Sequence, residues 1–264
     1  MLKWIRRLIL GLITFVLVVI LGFASVLGFE AVFGVKASDF TNVQYEAEDG
    51  TLLDGYLAVP DGEGPFPSML MVHEWWGLNA DIIELADQMA EEGYVVLAPD
   101  TYRGPTTSQI PRALYLRLNV PDERVDSDMM MAFNYLTSLP EVDADRIGVM
   151  GFCYGGGVAL RHGIQNPDVQ VTINLYGDTV LDPTAFGALP DNGSLLGIFG
   201  EIDDMIPLEE VEAFKQAVAD AGIEHTITVY DGVGHAFVEP DTINEPGQSQ
   251  AAWQQILEYL ENNL

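Results

Sequence analysis

Basic residues are scarce in this 264-residue chain, with 11 Lys+Arg set against 40 Asp+Glu. Beyond residue 30 the balance is 8 against 39, a net −31, and the only lysines there are Lys36 and Lys215. A basic groove that could neutralise phosphates is therefore excluded, and no nucleic-acid partner is expected. So acidic a surface favours solubility in salt and says nothing about fold. Cysteine occurs once, at Cys153, which rules out an internal disulfide framework. Repeats and low-complexity tracts are absent as well.

One long apolar run is present. Leu8 to Phe29, "LILGLITFVLVVILGFASVLGF", holds 22 residues without a charge and follows Lys3, Arg6 and Arg7. A run above about 18 residues can cross a bilayer, whereas the apolar core of a cleavable signal is usually ~7–15. Residues 1–30 therefore read as a membrane anchor, one N-terminal transmembrane helix with the three bases inside and the rest of the chain outside the cytoplasm. Small residues at Gly22, Ala24 and Gly28 keep secretion after signal cleavage open as the alternative. Residues 31–42 read as a linker, and residues 43–264 as one domain.

Within that domain, Val43–Pro60 alternates apolar and polar residues around Asp49-Gly50, a hairpin signal. Strands are then expected over Ser68–Trp75, Tyr94–Asp100, Arg146–Phe152, Val169–Gly177, Ser194–Glu201 and Glu224–Gly232. Helices are expected over Asp81–Gly93, Asp122–Leu139, Tyr154–Ile164, Leu208–Gly222 and Ser249–Asn263. Strands separated by helices imply an α/β fold, a mostly parallel sheet with helices on both faces. Arg103–Pro121 has no clear periodicity and could partly cap a pocket.

The lone thiol sits in "RIGVMGFCYGGG", a strand, a sharp turn and a helix, with G-x-C-x-G across Gly151–Gly155. The related G-x-S-x-G elbow lifts a nucleophile above the sheet edge, where the helix N-terminus favours a thiolate and a nearby oxyanion. A small buried hydrophobe is the plainer reading of one cysteine. A P-loop is excluded, since "GFCYGGG" lacks the Lys-Ser/Thr ending. Downstream, "GEIDDMIP" follows one strand and "GVGHAF" another, so Cys153, Asp203 and His235 occur in triad order, each after a strand. His235 would be the base and Asp203 its orienting acid. Asp204 is the competing acid, one residue late for the strand register; His162 and His225 fall inside elements and read as packing or surface. Glu74 ends the first long strand in "VHEWWG"; H-E-x-x-H fails because position 77 is Gly77. It reads either as a buried carboxylate paired with an arginine or as a group that holds the thiol proton at rest.

"MVHEWWGLNADIIELADQMAEEGYVVLAPDTYRG", "DRIGVMGFCYGGG", "GEIDDMIP" and "YDGVGHAF" together resemble the dienelactone hydrolase (carboxymethylenebutenolidase) family of α/β-hydrolases, over roughly residues 43–264. The resemblance implies an α/β-hydrolase fold and hydrolysis of a small ester or lactone through an acyl-thioester on Cys153. Asp203 and His235 would be its partners, and Glu74 the carboxylate that receives the thiol proton when substrate binds. Backbone N–H groups of Trp75 and Tyr154 would form the oxyanion hole. No metal or organic cofactor is implied, and a monomer is expected. Arg103 lies near one position where the family holds a substrate carboxylate; the other is Glu239 here, which would repel an anion. Arg103, Trp76 and Tyr102 are thus the candidate substrate-binding side chains, for an apolar or aromatic ester or lactone. A non-catalytic surface-displayed binding domain and a thioesterase or acyltransferase on the same thiol are the competing functions, because fold does not choose among them.

Overall fold

A computed structural model describes residues 2–189 and 193–264. Helix α1 (Leu2–Phe33) precedes a hairpin of β1 (Val43–Glu46) and β2 (Leu52–Ala58). Gly50 at the hairpin tip has φ +79°, a conformation open to glycine at no steric cost. There follow β3 (Phe66–Val72), α2 (Ala80–Glu91), β4 (Val95–Pro99), α3 (Ile110–Asn119), α4 (Asp122–Thr137) and β5 (Val142–Phe152). The chain ends with α5 (Tyr154–Gln165), β6 (Val171–Leu175), β7 (Ser194–Gly200), α6 (Leu208–Asp220), β8 (Glu224–Tyr230) and α7 (Gln248–Asn263). One eight-stranded sheet forms in the order β1-β2-β4-β3-β5-β6-β7-β8. It is antiparallel from β1 to β4 and parallel from β4 to β8.

Side-chain alternation along the strands divides the core between the two faces. Met69 and Met71 of β3 pack with Ile82, Leu85 and Met89 of α2 and with Trp253 and Ile256 of α7. Their neighbours Leu70 and Val72 pack on the opposite face with Val125 and Met129 of α4 and Val158 of α5. A third cluster joins Val211, Phe214 and Val218 of α6 to Leu195 and Phe199 of β7. Burial on both faces accounts for the continuous apolar runs of the central strands.

Three segments differ from the sequence expectation. β3 stops at Val72, its last residue in register with β5 (Val72↔Gly151), so His73–Trp76 leave the sheet as a loop. β5 begins earlier than expected, at Val142, because Phe66 pairs with it ahead of the main register. The segment 31–42 is also more ordered than a linker. α1 runs on to Phe33, Ala37 is fully buried, and Ala37 N–H donates to Gly104 O at 2.9 Å. Lys36 bridges to Pro105, and Thr107 donates its hydroxyl to the Glu30 carboxylate. The unpatterned stretch after Arg103 contains α3, whose second residue is Pro111.

Trp4–Glu30 of α1 is long and apolar enough to cross a membrane. Its 27 residues reach about 40 Å at 1.5 Å per residue, more than the ~30 Å hydrocarbon layer.

Candidate active site

The sharpest turn in the sheet joins β5 to α5. Cys153 occupies it with φ +53° and ψ −118°, strained for a residue with a side chain. Glycines make the turn possible by close approach: a Cβ on Gly151 would strike the Gly155 carbonyl, and one on Gly155 would strike the carbonyls of Val72 and His73. α5 is thereby pressed against the end of β3. Cys153 N–H donates to Leu175 O at 3.0 Å, which ties the turn to β6.

The half-buried thiol faces the backbone N–H groups of Trp75 and Tyr154, both of which favour its ionised form. Burial, and then the nearby charge of Glu74, outweigh them and push the thiol up to about 12. Glu74 itself is pushed up to about 7 by burial and by the charges of Asp81 and Glu239. No arginine pairs with Glu74 among the described residues, so the ion-pair alternative for this carboxylate lacks its partner. Glu74 lines a cavity of about 320 Å³ with Trp76, Asp81, Glu239 and Asp241.

His235 shares the thiol pocket and meets Asp203. Asp203 follows β7, its side chain is fully enclosed, and Oδ2 lies 2.8 Å from His235 Nδ1. Its Oδ1 accepts the N–H groups of Met205 (2.7 Å) and Ile206 (3.1 Å), so the carboxylate is held at both oxygens. Neighbouring Asp204 is exposed. His235 Nε2 is buried and has no hydrogen-bond partner among the described residues, the thiol included. The Tyr176 ring stands edge-on to the imidazole at 5.2 Å, and Tyr176 is itself at φ +40°. Cys153, His235, Trp75, Tyr154, Tyr176 and Arg117 share a pocket of about 140 Å³. His162 lies buried in α5 beside Asn166, and His225 is in β8 with Nδ1 2.8 Å from Ile223 O; neither lines this pocket.

Two groups in the site were not singled out by their sequence. His73 is fully buried and held at about 4 by burial, so it is neutral near pH 7. Thr101 N–H donates to its Nε2 (3.3 Å), which assigns the proton to Nδ1, 2.6 Å from Glu74 O. That contact orients the Glu74–Trp75 peptide whose N–H faces the thiol. Only the failed zinc motif drew attention to His73, because a buried imidazole leaves no periodic signal. Arg117 comes from α3, places its guanidinium 5.3 Å over the Tyr154 ring, and lies 3.5 Å from Asp178.

The candidate substrate-binding side chains separate. Arg103 does not line the pocket; it clamps Asp128 through Nε (2.8 Å) and Nη2 (2.7 Å), and its Nη1 reaches Asp49 at 3.1 Å. Its left-handed backbone, at φ +57°, follows the Asp100 turn and aims the side chain at α4 and the hairpin. Tyr102 is buried behind the site against His73 and Tyr154, with ring centroids at 5.0 and 5.4 Å. Trp76 lines the Glu74 cavity and leaves the thiol pocket to Trp75. The cationic side chain on the pocket wall is Arg117, thirteen residues beyond Gly104, where the stretch resembling the family ends.

Two outcomes follow from these contacts. Arg103→Ala leaves Asp128 buried with only Arg124 Nε, 3.8 Å away, and should cost about 3 kcal/mol in urea unfolding while KM for a neutral ester stays unchanged. Glu74 has a folded pKa above its ordinary 4.5, so its contribution to stability is full below that pH and lost as pH rises through about 7. The unfolding free energy of Glu74→Gln relative to the parent should therefore rise between pH 4 and pH 8, by on the order of 2–3 kcal/mol.

Comparison with known proteins agrees with this architecture. The profile of the Dienelactone hydrolase family matches residues 53–264. A presumed carboxymethylenebutenolidase of Methylorubrum extorquens is 30% identical over 235 residues, 83% of this chain and 79% of that protein. A presumed carboxymethylenebutenolidase of Salmonella typhimurium is 30% identical over 244 residues, 86% of this chain and 88% of that one. The crystal structure of a presumed dienelactone hydrolase from Klebsiella pneumoniae superposes with a TM-score of 0.71 at 27% identity, covering 83% of this chain and 97% of that one. The chain belongs to the dienelactone hydrolase family and is a carboxylic-ester hydrolase of the α/β-hydrolase fold.

Proposed function

We propose that the protein hydrolyses a small, uncharged ester or lactone through an acyl-thioester on Cys153. The reading rests above all on one observation: the sulfur lies against two backbone N–H groups, and a buried imidazole nitrogen without a partner shares its pocket. At rest the thiol stays protonated, since burial and the Glu74 charge both oppose a thiolate there. When a substrate carbonyl oxygen takes the place beside Trp75 and Tyr154 N–H, the sulfur turns toward His235 Nε2 and gives up its proton. Asp203 stabilises the imidazolium and keeps its Nδ1–H directed.

The thiolate then forms an S–C bond with the carbonyl carbon, and the oxyanion is held by the two amides. The C–O bond breaks, and imidazolium passes its proton to the departing alkoxide. Water next gives a proton to Nε2 and attacks the thioester. Collapse releases the acid and a thiolate, which takes the proton back from His235. Glu74 acts as the gate through its charge, which keeps the sulfur from ionising until the substrate moves it; the role of proton acceptor, which the family resemblance implies for Glu74, falls in this reading to the unpartnered Nε2 of His235. Glu74, Asp81, Glu239 and Asp241 around the neighbouring cavity disfavour an anionic lactone. Apolar and aromatic walls from Trp75, Tyr176, Met205 and Ile206 suit a neutral acyl or aryl group.

In the same reading α1 is an uncleaved anchor. Lys3, Arg6 and Arg7 stay on the cytoplasmic side, and the hydrolase domain faces outward.

Cys153→Ala should lower kcat/KM for an activated aryl ester by on the order of 10³-fold or more, measured on protein with an unchanged unfolding profile. Turnover at the parent rate would refute a cysteine nucleophile. Removing the charge in Glu74→Gln should speed alkylation of the resting thiol by iodoacetamide several-fold at pH 7; an unchanged rate would exclude the gate.

A further inference from the structure

α3 carries its apolar side chains on the wrong side for a soluble domain. Ala113 and Leu116 turn inward and are buried, while Ile110, Leu114 and Leu118 repeat every fourth residue and stay exposed, Ile110 at 62% and Leu118 at 72%. Tyr115 extends the same face. Arginines flank it on both sides by helical spacing, Arg112 on one and Arg117 on the other. Arg112 stacks over Tyr115 at 5.6 Å and has no carboxylate partner among the described residues. Residues 101–121 contain three arginines and no acid, within a chain of 40 Asp+Glu. Arg117 is ion-paired with Asp122 (3.8 Å) and Asp178 (3.5 Å), so Arg112 is the unpaired cation at this edge among the described residues. An exposed apolar face edged with arginine has the composition of a helix that lies in a lipid interface.

Its position supplies the second observation. α1 contacts α3 directly, and Thr107, at the approach to α3, bonds Glu30 at the end of the apolar stretch. Phe29, Val32, Phe33 and Val35 are exposed beside this junction, so uncovered apolar surface runs from the end of α1 toward α3. A bilayer that receives α1 would meet α3 next. We propose that α3 lies in the headgroup region of that bilayer, with Ile110, Leu114 and Leu118 toward the acyl chains and Arg112 toward lipid phosphates. Arg117 also lines the thiol pocket, so the pocket opens at the lipid surface, where apolar esters accumulate. The proposal rests on the reading of α1 as a membrane anchor.

Site-directed spin labelling of the full chain tests it. In a Cys153→Ala background, which removes the only native thiol, a nitroxide is attached at Leu118→Cys or, as a control on exposed Glu209 of α6, at Glu209→Cys. The protein is reconstituted in phosphatidylcholine vesicles containing phosphatidylglycerol. Collisions with oxygen should exceed those with a water-soluble nickel complex several-fold at position 118, and the ratio should invert at 209. An aqueous signature at both positions would overturn the proposal. Dipolar broadening at 118 that persists in detergent would also overturn it, by assigning this face to a second copy. Failure of the chain to float with the vesicles would remove the anchor, and the proposal with it. None of these signals depends on turnover, so they stand apart from the ester assay of Cys153→Ala.

Discussion

Everything at the site hangs on the contact between the start of α5 and the end of β3. Gly151 and Gly155 let the two backbones approach to a distance that any side chain would prevent, and Cys153 is held in a strained conformation at their junction. Only this approach brings the N–H of Trp75, on the loop after β3, to the same sulfur as the N–H of Tyr154 in the first turn of α5. Pre-set donors of this kind are effective because they are paid for during folding and need no reorganisation when negative charge appears.

The electrostatics of the pocket are arranged around restraint. Glu74 is half-buried near other carboxylates and near a half-buried thiol, so the site tolerates one negative charge and resists a second. A neutral imidazole, His73, supports the loop without adding charge of its own. Across the pocket, Asp203 is saturated by two amides and one imidazole, which leaves His235 a single free nitrogen.

Much of this is legible in the sequence. Alternation and helical spacing located the core strands and five helices of the domain, because their apolar faces must repeat with the period of the element that buries them. Cys153, Asp203 and His235 stood out because each follows a strand at a glycine-rich or polar turn. Arg103 illustrates the limit. Its place in the chain suggested a substrate clamp, yet a left-handed backbone turns it to Asp128 and Asp49, partners 25 and 54 residues away in sequence. His73 and Arg117 were missed for the same reason: both acquire their surroundings from elements remote in the chain.

Sequence alone determined the class of sheet, the apolar first helix, the acidic surface and the order of the three chemically distinctive residues, since all of these are local patterns of residue type. Tertiary structure decided which carboxylate meets His235, which amides face the sulfur, which arginine reaches the pocket and where α1 rests against the domain. Those facts depend on how far apart separate segments come to lie, and distance between segments is set by packing rather than by any one stretch of residues.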